Sequence, residues 1–116
     1  MKKLQTLPNS QQFRQVYDQG RNFNTPLLSA FFLKVETDER RVGITVTRKI
    51  GNAVVRNHCK RRLREILRKQ LSDAESSFGF DLVINVRSAL VKAEFSKIEE
   101  SVAKALKWFA DSVSKQ

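Results

Sequence analysis

Between Val42 and Arg87 the spacing of apolar residues changes twice, and each change fixes a boundary between secondary-structure types. Val42-Gly43-Ile44-Thr45-Val46-Thr47 alternates as a half-buried strand does, and Phe80, Leu82, Ile84 and Val86 alternate in the same way in the run from Phe80 to Arg87. Between the two runs, Val55, Cys59, Leu63, Ile66 and Leu67 recur at intervals of three and four, so at ~100° per residue they share one stripe of a helix. That stripe must face a core. Gly51-Asn52 supplies the helix start, with Asn as N-cap, and Gly79 ends the polar connection that follows. Strand, helix and strand form a βαβ unit, whose parallel crossover is expected to be right-handed in ~98% of cases.

The rest of the chain supplies elements to complete a sandwich. Asn9-Ser10, then Gln12, Phe13, Val16, Tyr17 and finally Gly20, reads as a short helix with a capping residue before it and glycine just past its end. Leu27 to Val35 reads as a strand and Thr37-Asp38-Glu39 as a turn, so this strand and the Val42–Thr47 strand are expected to pair as a hairpin. From Lys92 onward, Phe95, Ile98, Val102, Ala105, Leu106 and Phe109 repeat at helix spacing, with Glu94, Glu99 and Glu100 in the first turns. The expected order is α-β-β-α-β-α, an α/β (α+β) two-layer sandwich. No repeat, low-complexity tract or linker divides residues 1–116, which read as a single domain with about six residues at each end expected to fray.

The polar side of the central helix carries the functional signal. Arg48 to Lys69 holds nine of the chain's 22 Lys+Arg residues against one acid, Glu65. On the helical wheel Asn57, Lys60, Arg61, Arg64 and Arg68 gather opposite the apolar stripe, Arg56 lies at the border, and Arg62 and Lys69 reach out from the apolar flank. An ordinary solvated helix mixes signs to gain i,i+4 pairs worth ~0.2–0.5 kcal/mol each. Stacking like charge on one face is tolerated when a polyanion neutralises it, and the arginine fork suits phosphate oxygens and base edges. A formal net charge of +10 over 116 residues makes nucleic acid the expected partner, bound with a steep salt dependence.

Other function classes recede. The longest apolar run, Leu27 to Leu33, is too short to span a bilayer and is interrupted by Ser29, so no membrane association is expected. The first ten residues, MKKLQTLPNS, lack the apolar segment of a secretory signal, which makes the cytoplasm the expected location. Cys59 is alone and on the apolar stripe, so it reads as a buried thiol. His58 is the only histidine, and metal ligation by it has no second ligand at suitable spacing. A two-metal nuclease needs convergent carboxylates, whereas the acids here are dispersed, with Asp81 alone on a strand; no catalytic residue is assigned to the protein.

Aromatic residues beside cations mark single-stranded nucleic-acid grooves, in which bases stack on rings at ~1–3 kcal/mol each. Phe13, Tyr17 and Phe31 are the candidates, each with core packing as the alternative role. The second face of the Val42–Thr47 strand carries Thr45 and Thr47 and runs into Arg48-Lys49, so small polar residues edged by Lys49 and Arg56 line a groove instead of a core in this reading.

RVGITVTRKIGNAVVRNHCKRRLRE resembles the motif of the bacterial ribonuclease P protein component: a strand ending in a basic pair, the GNAV run, then Arg56-Asn57, Lys60-Arg61 and Arg64-Glu65, the RNR motif. The resemblance extends to Phe13-Arg14-Gln15-Val16-Tyr17 with Gly20 and to the strand ending in Arg87 before the Phe95 helix, nearly the whole chain. His58-Cys59 departs from the basic residue and isoleucine frequent in relatives; Cys59 keeps the apolar contact and His58 removes one cation. Tyr17 stands where Phe is frequent and adds a hydroxyl.

The resemblance implies a protein subunit of a heteromeric ribonucleoprotein. It would bind ribonuclease P RNA and the 5′ leader of precursor tRNA, promoting endonucleolytic removal of the leader with a 5′-phosphate product. Hydrolysis would be performed by the RNA with Mg2+, held mainly by the RNA, and the isolated protein would be inactive. It further implies that Arg48, Lys60, Arg61, Arg64 and Arg68 contact the catalytic RNA. Phe13, Tyr17, Phe31, Thr45, Thr47, Lys49, Arg56 and Asn57 would line the leader cleft. A left-handed βαβ crossover in a mixed sheet is the family's arrangement and replaces the right-handed expectation. The alternative is a ribosomal or general RNA-binding protein of similar fold. A DNA-binding helix-turn-helix does not fit, because the basic helix is flanked by strands.

Overall fold

A computed structural model describes residues 5–73 and 79–114. The chain forms β1 (Gln5–Thr6), α1 (Ser10–Gln19), β2 (Arg21–Asn24), β3 (Leu28–Val35), β4 (Arg40–Thr45), α2 (Ala53–Asp73), β5 (Gly79–Val86), a 3-10 turn (Ser88–Leu90) and α3 (Phe95–Ser114). The three helices and the three long strands fall where hydrophobic spacing places them. Two short strands were not expected. β2 has one apolar residue in RNFN and no alternation of its own; it forms by antiparallel pairing to β3, with Phe23 opposite Ala30. β1 pairs in parallel with β4, and the Leu7 N–H donates to the Val42 carbonyl. Gln5 and Thr6 are therefore held in a sheet where fraying was expected, while the outermost residues of both ends lie outside the described residues.

The five strands lie in the order β1-β4-β5-β3-β2. This corrects the hairpin: β3 and β4 follow one another in sequence but do not pair, because β5 lies between them, antiparallel to β3 and parallel to β4. The reason is in the composition of β5. Seven of its eight residues are buried, so it needs partners on both edges and cover on both faces, which only a central position provides. Its first residues insert beneath the β3–β4 connection, where the Gly79 and Phe80 N–H groups donate to the Thr37 and Glu39 carbonyls. A Cβ at Gly79 would lie 2.3 Å from the Glu39 carbonyl oxygen and 2.4 Å from that of Thr37, so only glycine fits.

One face of the sheet builds the main core. Leu28, Ala30 and Phe32 of β3, Val42 of β4 and Phe80, Leu82, Ile84 and Val86 of β5 meet Cys59, Leu63, Ile66 and Leu67 of α2 and Ile98, Val102, Ala105 and Phe109 of α3. Phe32 stacks on Phe109 at 4.5 Å and 9°, and both meet the edge of Phe80. Burying a ring of this kind stabilises the fold by about 1.5–3 kcal/mol. Asn52 caps α2 as expected, its Oδ1 accepting the Val55 N–H at 3.0 Å. Arg40 is buried beneath the other end of α2, where it donates to the Leu71 carbonyl at 3.2 Å and lies over the Phe80 ring. Desolvation by burial lowers its pKa. Arg62 ties α2 to the approach of α3, donating to the Ala93 carbonyl at 2.8 Å and lying 6.0 Å from the Phe95 ring centre. Among the described residues, no helix is long and apolar enough to cross a membrane.

The opposite face carries α1. Asn9 caps it, accepting the Gln12 N–H at 3.0 Å. Its apolar side forms a second, smaller cluster in which Leu7, Val16 and Val83 are buried and Phe13, Tyr17, Phe31 and Leu33 are partly buried.

Candidate nucleic-acid interface

Strand pairing sorts the α1 face of the sheet into rows. In the first row Arg41, Asp81 and Leu33 stand side by side on β4, β5 and β3; in the second, Gly43, Val83 and Phe31; in the third, Thr45, Asn85 and Ser29. The first row is closed. The Arg41 guanidinium donates from Nε and Nη2 to the two carboxylate oxygens of Asp81 at 2.9 and 2.8 Å, and Nη1 donates to Gln12 of α1 at 3.2 Å. The hydrogen bond to Asp81 holds the Arg41 pKa above its ordinary value. In the second row the Phe13 ring rests on Gly43, so closely that a Cβ there would lie 2.3 Å from the ring's Cζ.

The third row is polar and more open. The Tyr17 hydroxyl donates to Asn85 Oδ1 at 2.7 Å and lies 3.3 Å from Thr45 Oγ1, while its ring meets Phe31 edge-on at 4.9 Å and 84°. Beyond it, Arg87 donates from Nε and Nη2 to Ser29 Oγ at 3.3 and 3.1 Å. β4 also ends here, and the chain passes through Thr47, Arg48 and Lys49, all exposed, into α2. The cations and the polar row thus share one end of the sheet.

Of the sequence-predicted cleft residues, Phe13, Tyr17, Phe31 and Thr45 are brought together on this face. The two roles weighed for the rings are combined, since each is half-buried and packs on the sheet while keeping exposed surface. Thr47 lies beyond the strand, in a turn where its carbonyl accepts the Ile50 N–H. Arg56 is half-buried in the first turn of α2. Asn57 lines an open groove on the outer face of α2 with Lys60, Arg61, Glu65, Arg64 and Arg68. Among the described residues no carboxylate forms an ion pair with any of these four cations.

Sequence reasoning missed Asn85, Ser29 and Gln12 as site neighbours, and the role of Arg41 with Asp81. Their polarity at alternate positions of apolar strands was a signal that they point away from the core; what covers them was not visible. Cys59 is buried, and desolvation raises its thiol pKa, only partly offset by Arg62 nearby. Among the described residues, no three His, Cys, Asp or Glu side chains converge to hold a metal ion. The chemistry on offer is a run of cations for phosphates and a ring-floored, hydrogen-bonding face for bases.

Comparison with known proteins agrees with this fold. The family model described as Ribonuclease P matches residues 1–110. A ribonuclease P protein component from Lachnoclostridium phytofermentans is 38% identical over 98 residues, covering 84% of this chain and 83% of that protein. Another from Clostridioides difficile is 34% identical over 101 residues, covering 87% and 88%. Among solved structures, the RNase P protein from Thermotoga maritima superposes with a TM-score of 0.79 at 30% identity, covering 89% of this chain and 96% of that one. The Staphylococcus aureus RNase P protein superposes with a TM-score of 0.79 at 26% identity, covering 90% and 94%.

Proposed function

Because the chain belongs to the ribonuclease P protein family, its role is that of a subunit of that tRNA-processing ribonucleoprotein, and we propose that it uses two surfaces for two RNAs. The outer face of α2, with Arg48 before it, holds the catalytic RNA through Lys60, Arg61, Arg64 and Arg68. The face beneath α1, floored by Phe13, Tyr17 and Phe31 and edged by Thr45, Thr47, Lys49 and Arg56, receives the single-stranded 5′ leader of precursor tRNA. Asn57 stands on α2 with the first group and extends the cleft only at its margin. The observation that carries the reading is this division. Among the described residues, Lys60, Arg61, Arg64 and Arg68 of α2 have no carboxylate partner, while partly exposed rings line the other face of the same sheet.

The protein's contribution to cleavage is binding and charge neutralisation. Each phosphate met by a cation releases counterions and lowers repulsion between leader and catalytic RNA, so less Mg2+ is needed to hold the two together. In this reading Mg2+ is held mainly by the RNA, where it would supply the activated nucleophile. No catalytic step is assigned to a side chain, and the isolated protein is inactive in this reading. The cytoplasm, where precursor tRNA is made, is the proposed location.

The test is cleavage of 5′-labelled precursor tRNA by a bacterial ribonuclease P RNA at low Mg2+, with and without the protein. Restored cleavage at the mature 5′ end is expected. Tight, salt-sensitive RNA binding without restoration would point to general RNA binding, and cleavage by stringently purified protein free of RNA would remove the assignment of catalysis to the RNA.

A further inference from the structure

We propose that the Asn85 carboxamide, held in one orientation by Tyr17, reads one base of the bound single strand and favours the keto bases, guanine and uracil, over adenine and cytosine. This rests on the reading of the α1 face as the leader cleft. A tyrosine hydroxyl has one proton, and here it goes to Asn85 Oδ1 at 2.7 Å. The contact with Thr45 Oγ1 at 3.3 Å must then run the other way, with the threonine donating. The chain of hydrogen bonds therefore has a direction, from Thr45 through Tyr17 to the carbonyl of Asn85. With Oδ1 fixed toward Tyr17, planarity turns Nδ2 to the opposite side of the carboxamide, and it has no protein partner among the described residues.

A packing role alone does not account for this residue. The other positions of β5 on both faces are filled by glycine, by apolar side chains or by the fully paired Asp81, and a β-branched residue would suit a central strand better. The two N–H groups of this half-buried carboxamide have no protein partner among the described residues and are open to solvent, so a bound acceptor can take them. What surrounds it is also a donor. On the neighbouring strand the Ser29 oxygen already accepts two bonds from Arg87, and the exposed guanidinium beyond it can only donate. The open end of the cleft thus presents the N–H groups of Asn85 and Arg87, and the oxygen nearest to them, Ser29 Oγ, is taken up by Arg87. Guanine offers O6 and N7 and uracil offers O4 to such a rim, whereas the amino groups of adenine and cytosine meet it donor to donor.

The experiment uses the holoenzyme reconstituted with a bacterial ribonuclease P RNA and measures affinity for precursor tRNAs whose leader is changed one nucleotide at a time. U against C and G against A alter the keto or amino group at constant ring size. At one leader position the keto base is expected to bind about three- to tenfold tighter, as one hydrogen bond gained against one left unmade would give. Asn85→Leu removes the donor, and Tyr17→Phe frees the carboxamide to rotate; in each the ratio is expected to fall toward one while a leader still improves binding over leaderless tRNA. Tyr17→Phe loses one oxygen and keeps the ring, and it carries the test if Asn85→Leu does not fold. No keto preference at any position, or a preference unchanged in both variants, overturns the inference alone. A wild-type holoenzyme that gains nothing from a leader overturns the cleft reading, and the inference with it.

Discussion

Gly43→Ala adds a single carbon where the Phe13 ring now sits, and its consequences follow from the distances. The new Cβ would lie 2.3, 2.6 and 3.0 Å from ring atoms Cζ, Cε2 and Cε1, against 3.4–4 Å for ordinary contact. The ring must withdraw by roughly 1 Å. No described glycine has positive φ, so alanine brings no backbone strain of its own and the clash is the whole cost. Overpacking costs about 1–3 kcal/mol, and because Phe13 is only half-buried and can swing outward, the lower end applies, about 1 kcal/mol. At ~2.1 cal/mol/K per residue the melting temperature should fall by about 4 °C. The displaced ring should also lose its stacking with the leader, weakening binding of a leader-bearing precursor by about five- to 150-fold, while leaderless tRNA is unaffected. Urea unfolding and holoenzyme binding measure the two effects, and a double-mutant cycle with Phe13→Ala assigns the cause. Once the ring is gone, Gly43→Ala should be neutral or stabilise by up to about 1 kcal/mol, through the lower entropy of the unfolded chain. An equal loss in both backgrounds would refute the reasoning.

Arg41→Ala leaves the Asp81 carboxylate, 4% exposed, without its two-pronged partner, and because the guanidinium is itself a quarter exposed the expected loss is about 2–3 kcal/mol, read by urea unfolding. Hydrogen exchange should quicken in α1 as well, since the same guanidinium holds Gln12; unchanged exchange there would separate α1 from this ion pair. Arg64→Ala should weaken binding to the catalytic RNA and flatten the plot of log affinity against log salt by roughly 0.7–0.9, with the leader effect retained; an unchanged slope would remove Arg64 from the phosphate contacts. Burial raises the Cys59 thiol, so its contribution to stability is complete below the unfolded thiol's pKa and is lost as pH rises through the higher folded value. At neutral pH a thiol reagent should label it only as fast as the protein unfolds, and rapid labelling of the native protein would contradict the burial.

The helices and the long strands were legible because their signals are local. Val55, Cys59, Leu63, Ile66 and Leu67 form a stripe in any helix built from these residues, and Asn9 and Asn52 cap their helices from within four residues. The sheet order was not legible, since neighbours in sequence are the usual partners and nothing local to Thr37 or Glu39 announces that Gly79 will dock beneath them. Likewise β2 exists only because β3 offers it an edge. The candidate site divides along the same line. The cations of α2 are sorted by helix geometry and could be read directly, and the three rings could be named as candidates. The pairing of Tyr17 with Asn85 spans 68 residues and depends on which strand lies beside which, so no pattern within either element contains it.

β5 shows how one strand can serve stability and recognition at once. Phe80, Leu82, Ile84 and Val86 point into the main core, and the alternate side chains Asp81, Val83 and Asn85 run along the α1 face from its closed end to its open one. At Asp81 every hydrogen-bonding group is matched within the protein, and at Val83 the contact is apolar. At Asn85 the match is half complete, with one amide group used and the other left over. Because α1 is fastened at the Asp81 end by the hydrogen bond from Arg41 to Gln12 and at the Gly43 row by the Phe13 ring, its position does not rest on the third row alone, and that row can spend its remaining polarity on a ligand. Substitutions along this face should therefore change in kind over two steps of the strand: at Asp81 they should lower stability and leave base preference intact, and at Asn85 they should alter base preference at little cost to stability. The reverse pattern would mean that the open end, and not the Arg41 end, is what holds α1 in place.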